Sequence, residues 1–199
     1  MTFQSSNKRE ENLSFEKNFI LYLHDLMYLL VVLMIVLLLF FRVVIVSGTS
    51  MYATLYDGDY LLLLGNMFYH QPETGDIVVI SKKSFDNGAP IVKRVIATEG
   101  QTVDIDFEKG IVYVDGQAQQ EGYTNTLTTT NGGVMFPLTV SEGCVFVLGD
   151  NRNISRDSRY PEIGLIDERE ILGKAILLII PGTNYGEFPR DFQRIGGLS

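Results

Sequence analysis

The sequence has little cysteine, histidine and positive charge, and each shortage excludes a class of protein. Its one cysteine, Cys144, cannot form an internal disulfide, so a folded domain must be held together by its apolar core. Two histidines and one cysteine offer no cluster of metal ligands, and neither a P-loop nor a dinucleotide-binding fingerprint is present, so we expect no metal and no cofactor. A formal net charge of −8 without a basic cluster argues against nucleic acid as a partner.

A long apolar run near the N-terminus is the most prominent feature that is present. Residues 19–46 read FILYLHDLMYLLVVLMIVLLLFFRVVIV, and residues 26–41 carry no charge and show no polar face at helical spacing. Since a helix rises about 1.5 Å per residue, residues 20–41 span about 33 Å, enough for a hydrocarbon core of about 30 Å. A cleavable signal peptide has an apolar region of only about 7–15 residues. We therefore expect an uncleaved transmembrane anchor over residues 19–42.

The basic residues around this run predict its orientation in the membrane. Three of them precede it: Lys8, Arg9 and Lys17. Only Arg42 follows it before Lys82. Because basic residues favour the cytoplasmic side of a membrane span, we expect residues 1–18 to form a cytoplasmic tail and residues 43–199 to lie outside the cell (plasma) membrane.

The rest of the chain has the pattern of an all-β domain. Seven short segments rich in Val, Ile and Leu are bounded by Gly, Asp, Pro or Asn: DYLLLL, DIVVIS, PIVKRVIA, QTVDIDF, GIVYVDG, CVFVLG and KAILLII. Residues 119–138 are rich in Thr and Gly and predict a loop or an irregular hairpin, and residues 167–172 have room for one helical turn. The sequence therefore predicts a mainly β fold, with a single N-terminal transmembrane helix followed by a β-rich domain.

A hydroxyl-rich stretch after the apolar run, VSGTSMYATL, and a lysine in a predicted strand are candidate catalytic groups. A Ser–His–Asp triad would need His70, which lies in a turn-like stretch near proline and is typical of an exposed histidine. A neutral lysine is the other base that activates a serine. In PIVKRVIA, alternation places Lys93 on one face with Ile91 and Val95, and burial there lowers the pKa of the amine, which can then accept a hydroxyl proton. Alternation alone favours the alternative of a surface lysine on an amphipathic strand.

Four motifs occur in order behind the expected anchor: SGTSMYATL, GDIVVI, IVKRVIATEGQTV and GDNRNISRDSR. The last motif, typical of a solvated loop when taken by itself, is the most distinctive of the four. Together they resemble bacterial type I signal peptidase over most of residues 19–181, and the short spacing between Gly100 and Gly143 resembles the compact Gram-positive members. The resemblance implies a membrane-anchored serine endopeptidase that removes signal peptides from exported precursors, with precursor proteins and membrane lipid as partners.

The resemblance also implies catalytic roles for two residues. Ser50 would be the nucleophile that attacks the scissile carbonyl. Lys93 would be the general base and then the proton donor to the leaving amine. The backbone N–H of Ser50 would form the oxyanion hole, because Gly48 stands where some members of the family add a hydroxyl.

Supporting roles follow from the last motif in the same way. Ser155 would hydrogen-bond and orient the lysine. Asp157 and Arg159 would form an ion pair that fixes the site, and Asp150 and Arg152 would shape the same turn.

The resemblance further implies how a substrate would bind. An extended chain would add as a strand beside Ser50 and residues 91–93, in contact with Met51, Ile91 and Val92. Shallow apolar pockets would favour small residues such as Ala one and three places before the cut.

Two departures and two alternatives accompany this interpretation. Ala53 stands where the family commonly has proline. Residues 97–100, Ala-Thr-Glu-Gly, differ from the family's usual Gly-x-Pro-Gly motif. One alternative is a self-cleaving repressor-type Ser–Lys protease, although the expected anchor and the lack of a DNA-binding segment argue against it. The other is a non-catalytic, signal-peptidase-like assembly factor for pili or surface proteins, which would not need the two candidate catalytic residues.

Overall fold

The computed structural model describes the backbone of residues 3–16 and the full residues of 17–124, 126–187 and 189–198. Within these ranges it contains one α-helix and twelve β-strands. Helix α1 is Phe3–Phe40. The strands are β1 Phe41–Ile45, β2 Tyr60–Gly65, β3 Ile77–Ile80, β4 Ile91–Ala97, β5 Thr102–Asp106, β6 Ile111–Val114, β7 Gln117–Ala118, β8 Leu138–Thr139, β9 Cys144–Leu148, β10 Ile166–Asp167, β11 Ile171–Ile180 and β12 Gly196–Gly197.

Helix α1 forms one compact unit and the residues from Phe41 onward form another. The stretch Lys17–Phe40 of the helix has 24 residues and is long and apolar enough to cross a membrane. The helix begins at Phe3, so most of the stretch predicted as a separate tail is helical. It ends two residues before the predicted boundary at residue 42, because the β-branched end of the apolar run pairs with β2 as strand β1.

The strands form two antiparallel sheets. The larger sheet has the order β1–β2–β11–β3–β4–β9–β10, and β12 pairs with β11 beside that path. The smaller sheet has the order β7–β6–β5–β8. Each of the seven segments predicted as strands contains one. The prediction of a mainly β fold with one N-terminal helix is therefore confirmed.

The shortest strands are not predicted by the sequence, whereas the loop and the helical turn are. Strands β7, β8, β10 and β12 have two residues each, too few to establish an alternating pattern. Residues 119–137 lie between β7 and β8, which do not pair with each other in the described sheets, so the described residues of this segment form a loop and not a hairpin. The predicted helical turn is a 3₁₀ turn, Glu168–Glu170, whose first N–H groups are capped by the Asp167 side chain.

Two apolar residues fix the loop between β1 and β2 (residues 46–59, the β1–β2 loop) to the large sheet. Met51 and Leu55 are at most 1% exposed and belong to a buried cluster with Leu61 and Leu63 of β2. Burial of a side chain of this size stabilises a fold by about 1.5–3 kcal/mol. The backbone that carries Ser50, directly before Met51, is therefore held against the sheet.

Candidate active site

Ser50 and Lys93 lie in contact beside strand β4, next to the point where its ladder with β9 begins. The β1–β2 loop places Ser50 next to strand β4, where the Nζ of Lys93 is 2.9 Å from the Oγ of Ser50. The same Nζ also donates to the backbone carbonyl of Val92 at 2.9 Å. The two candidate catalytic groups are thus within hydrogen-bond distance without any rearrangement.

The environment of strand β4 excludes the alternative of a surface lysine. Lys93 is only 3% exposed. Ile91 and Val95 pack in one buried cluster, whereas Val92 and Ile96 pack in two others, as strand alternation predicts. Both faces of β4 are covered by apolar groups, so the lysine lies in the interior and not on a solvated face.

Burial changes the protonation of Lys93. Removal from water lowers the pKa of its amine from the ordinary value of 10.5 to about 8, and the negative charges of Asp157 and Asp150 oppose that shift. A sizeable fraction of the amine is consequently neutral under mildly alkaline conditions. A neutral amine 2.9 Å from a hydroxyl can take its proton.

The turn after β9 holds the backbone of the β1–β2 loop. The N–H of Asn151 donates to the carbonyl of Ser50 at 3.0 Å, and its side-chain amide donates to the carbonyl of Thr49 at 3.0 Å. A Cβ at Gly149 would lie 2.5 Å from the carbonyl oxygen of Ser50 and 2.1 Å from the Oγ of Ser155. Position 149 therefore accepts only glycine without displacing the backbone of Ser50.

Ser155 differs from the role that the resemblance implies. Its side chain is 1% exposed, and its Oγ has no hydrogen-bond partner among the residues that the structure describes. The expected hydrogen bond to Lys93 is not formed; the amine donates to Ser50 and to the carbonyl of Val92. Ser155 instead packs beside Gly149.

Asp157 and Arg159 form a buried ion pair in the same turn. The Nε of Arg159 is 2.8 Å from Oδ1 of Asp157, and its Nη2 is 2.9 Å from Oδ2, with both side chains inaccessible to solvent. The N–H of Gly149 also donates to Asp157 at 3.0 Å. A buried pair of this kind is sustained only when further hydrogen bonds satisfy it. Here those bonds fix the turn that supports Ser50.

Asp150 pairs with a residue that the sequence interpretation missed. Arg94, next to Lys93 on β4, donates from Nε and Nη2 to the two carboxylate oxygens of Asp150, each at 2.9 Å. The hydroxyl of Thr54 in the β1–β2 loop donates to the same carboxylate at 2.5 Å. The pair therefore joins β4, the turn after β9 and the β1–β2 loop. The sequence did hold a signal for Arg94: it is a second basic residue, next to Lys93, in an otherwise apolar strand.

Arg152 binds the loop of residues 119–138 to the turn. Its guanidinium donates to both carboxylate oxygens of Glu121 at 2.6 Å and to the hydroxyl of Thr128 at 2.9 Å. Tyr123 of the same loop lies under the guanidinium of Arg94, 4.0 Å from the ring centroid. The sequence shows no pattern that pairs Glu121 with Arg152, because their contact joins two irregular segments.

A cleft of about 90 Å³ opens beside Ser50 and Lys93. Its walls are mostly small or β-branched residues: Val44, Ile45, Val46, Ser47, Val79, Pro90, Ile91 and Val92. Ile91 and Val92 thus line it as the sequence interpretation expects. Met51 does not, because its side chain is 1% exposed and packs in the core beneath the loop.

The backbone N–H of Ser50 is not used in a hydrogen bond within the described fold. In the described part of the chain the N–H of Ser50 has no acceptor, while the N–H of Gly48 donates to Asp57 at 2.9 Å. Gly48 has a φ of +93°, a left-handed conformation that favours glycine. The N–H of Ser50 is therefore free to donate to a further acceptor.

His70 lies outside this cleft. It is exposed and lines a separate cavity of about 320 Å³ with Tyr69, Glu168 and Arg169. Among the described residues, no group of three or more His, Cys, Asp or Glu side chains could hold a metal ion. The geometry beside Ser50 thus offers lysine, and not histidine, as the neighbouring base.

Comparison with known proteins identifies the family. The sequence model described as "Signal peptidase, peptidase S26" matches residues 20–180. The chain belongs to the signal peptidase family. The probable signal peptidase I-1 of Synechocystis sp. is 37% identical over 149 residues, which cover 71% of this chain and 72% of that protein. The signal peptidase I of Bacillus amyloliquefaciens is 31% identical over 188 residues, covering 90% of this chain and 92% of that one.

A solved signal peptidase I from Enterococcus faecalis V583 is 31% identical to this chain. It aligns with a TM-score of 0.43, covering 52% of this chain and 96% of that one. The relatives make this protein a type I signal peptidase, a serine protease that removes signal peptides. The alternative of a self-cleaving repressor-type protease is therefore wrong.

Proposed function

We propose that this protein is a membrane-anchored endopeptidase in which Ser50 and Lys93 form the catalytic dyad that removes signal peptides from exported precursors. The observation that carries the proposal is the 2.9 Å contact between the hydroxyl and a buried amine whose pKa is lowered to about 8. A surface lysine would be protonated and could not act as a base.

In the first step, the neutral amine of Lys93 takes the proton of Ser50 while Oγ attacks the scissile carbonyl. The N–H of Ser50 stabilises the negative charge that develops on the carbonyl oxygen. The tetrahedral intermediate collapses, the C–N bond breaks, and the ammonium returns its proton to the leaving amine. An acyl-enzyme on Ser50 remains.

In the second step, Lys93 takes a proton from a water molecule that attacks the ester carbonyl. The collapse of this intermediate breaks the bond to Oγ, and the proton returns to Ser50. The dyad ends in the state in which it began, so one residue serves as base and acid in both halves of the reaction.

Two unpaired strand edges beside the cleft suit an extended substrate. The ladder between β4 and β9 runs from Arg94 to Ala97, so residues 91–93 extend beyond it. Strand β1 pairs only with β2 in the described sheets. A substrate strand between these edges would direct alternate side chains into the small cleft of about 90 Å³, which favours alanine-sized residues.

The anchor would be the apolar stretch Lys17–Phe40, with the N-terminus in the cytoplasm and the β domain outside. Protease added to intact, wall-free cells tests this orientation. The β domain should be degraded while a fragment containing α1 stays in the membrane fraction. Protection of the whole chain would mean the opposite orientation.

The dyad is tested by mixing the solubilised full-length protein with a precursor that carries an Ala-x-Ala site. The wild type should cut it, and Ser50→Ala and Lys93→Ala should each abolish cutting without loss of the fold. Ser84→Ala and Lys83→Ala are matched controls, because both residues are exposed on a loop outside the cleft, and they should cut normally. Near-normal cutting by Lys93→Ala would show that the base is misassigned. A wild type that cuts nothing would favour the non-catalytic assembly factor.

A further inference from the structure

The residues after β11 return to the β1–β2 loop. Residues 181–198 lie beyond the part of the chain that matches the family model, which ends at residue 180. Strand β12 pairs with β11, and Leu198 packs against the buried cluster that contains Met51 and Leu55. The described part of this C-terminal segment is therefore packed against the element that carries Ser50.

Asp59 is the point at which the C-terminal segment meets the loop. Its carboxylate is inaccessible to solvent and accepts hydrogen bonds from both elements. From the loop, the N–H of Tyr56 donates at 2.8 Å. From the C-terminal segment, Gly182 donates its N–H at 2.6 Å, and Arg194 donates from Nη1 at 3.0 Å and from Nη2 at 2.7 Å. A buried carboxylate needs such partners, so the loop and the segment depend on one another here.

Arg194 makes two more contacts with the loop. Its Nη2 donates to the carbonyl of Thr54 at 3.2 Å. Its guanidinium lies over the ring of Tyr56, 3.8 Å from the centroid. One side chain therefore contacts three positions of the β1–β2 loop, within nine residues of Ser50.

The backbone of the C-terminal segment approaches the loop as closely as its side chains do. A Cβ at Gly182 would lie 2.1 Å from the carbonyl oxygen of Asp57, so only glycine fits. The N–H of Asn184 donates to that same carbonyl at 3.2 Å. The side chain of Asp57 in turn accepts from the N–H of Gly48, two residues before Ser50. The segment thus reaches the nucleophile's immediate neighbourhood through backbone contacts.

We infer that Arg194 is a positioning residue, which holds the β1–β2 loop so that Ser50 meets Lys93, and that the C-terminal segment is part of the active-site architecture. The inference rests on the proposed role of Ser50 as nucleophile. Arg194 touches neither the dyad nor the cleft, so it acts through Asp59, Thr54 and Tyr56.

The test compares Arg194→Gln and Arg194→Lys with the wild type in the full-length, solubilised protein, using a short soluble peptide with an Ala-x-Ala site. Arg194→Gln should lower kcat on the order of tenfold or more at nearly unchanged KM, because misplacement of a reacting group by about 1 Å is expensive. The apparent pKa of its rate profile should rise, because a loosened loop admits water to Lys93. Arg194→Lys keeps the charge beside Asp59 and should fall between the two.

A matched control separates positioning from general loss of an ion pair. Arg169 also forms a bidentate ion pair with an aspartate, Asp167, but this pair lies outside the β1–β2 loop. Arg169→Gln should therefore leave kcat and the apparent pKa unchanged. Rates are divided by the folded fraction, so a merely structural role lowers only the amount of active enzyme.

Two outcomes distinguish a failure of the positioning role of Arg194 from a failure of the proposed role of Ser50. If Ser50→Ala still cuts the peptide, the proposed nucleophile is wrong. If Ser50→Ala is inactive while Arg194→Gln keeps the wild-type kcat and apparent pKa per folded molecule, only the positioning role is wrong. Should Arg194→Gln fail to fold, a wild-type kcat and profile for Arg194→Lys would overturn it equally.

Discussion

The Nζ of Lys93 lies 2.9 Å from the Oγ of Ser50, although 43 positions separate the two residues in the sequence. The fold fixes the position of both residues. Met51 anchors the serine side in the core, and Asn151 holds the serine carbonyl from the turn after β9. On the other side, Lys93 lies on the buried strand β4, where it pairs with Val78 of β3. The proposed dyad requires this preorganisation, because a serine hydroxyl is a weak nucleophile.

The burial of Lys93 predicts a particular dependence of stability on pH. The pKa is 10.5 in the unfolded chain and about 8 in the folded domain, so between these values the unfolded chain holds a proton that the folded domain has released. Stability attributable to this residue therefore rises with pH through that window. Below the window, burial costs about 3 kcal/mol, at about 1.4 kcal/mol per pKa unit.

Lys93→Met should accordingly be more stable than the wild type at neutral pH, by up to about 3 kcal/mol, while being inactive. The gain should shrink as the pH rises toward 10.5. Denaturant unfolding of both proteins at several pH values measures it. Parallel pH dependences for the two proteins would mean that Lys93 has an ordinary pKa.

The buried pair of Asp157 and Arg159 predicts a large loss of stability when one partner is removed. Arg159→Met should destabilise the domain by about 3–5 kcal/mol, because an uncompensated carboxylate stays buried. Arg169→Met breaks an ion pair in which the arginine is 89% exposed, so solvent screens the pair and the unfolding midpoint should stay close to that of the wild type. Equal unfolding midpoints for the two variants would contradict the burial of the Asp157 carboxylate.

The close approach at Gly149 predicts a loss of activity that exceeds the loss of stability. In Gly149→Ala the new methyl would lie 2.5 Å from the carbonyl oxygen of Ser50, so the loop must shift. We expect kcat to fall on the order of 100-fold, because the hydroxyl moves relative to Lys93. Gly122→Ala is the control, because no atom lies within 4 Å of the added methyl there. A normal kcat for Gly149→Ala in folded protein would show that the loop accommodates the methyl without moving Ser50.

The sequence predicts the strands and the two candidate catalytic residues because their signals are local. A run of β-branched residues marks β4 whatever packs on it, and the motif around Ser50 identifies the serine by its neighbours. The end of the helix is harder to predict, since the apolar run continues from α1 into β1 without a turn residue. Met51 illustrates a related ambiguity, because an apolar residue beside a nucleophile suits a substrate pocket and a core equally well.

Partners that lie far apart in the sequence could not be predicted. Asp150 follows Arg94 by 56 positions, and only the packing of β4 against β9 brings them together. The contact of Asp59 with Arg194 spans 135 positions and joins the β1–β2 loop to a short 3₁₀ turn near the C-terminus. Helical or strand periodicity in the sequence does not predict such contacts, because each depends on the path of the whole chain.

The rate profile of the wild type tests the dyad most directly. The value of kcat/KM for a short soluble peptide, measured from about pH 6 to about pH 10, reports the protonation of the free enzyme. Because only the neutral amine of Lys93 can take the serine proton, kcat/KM should rise with pH, with a midpoint near the pKa of about 8, and then level off. A profile that is flat across this range, or that is still rising near the ordinary lysine pKa of 10.5, would contradict a buried Lys93 acting as the base for Ser50.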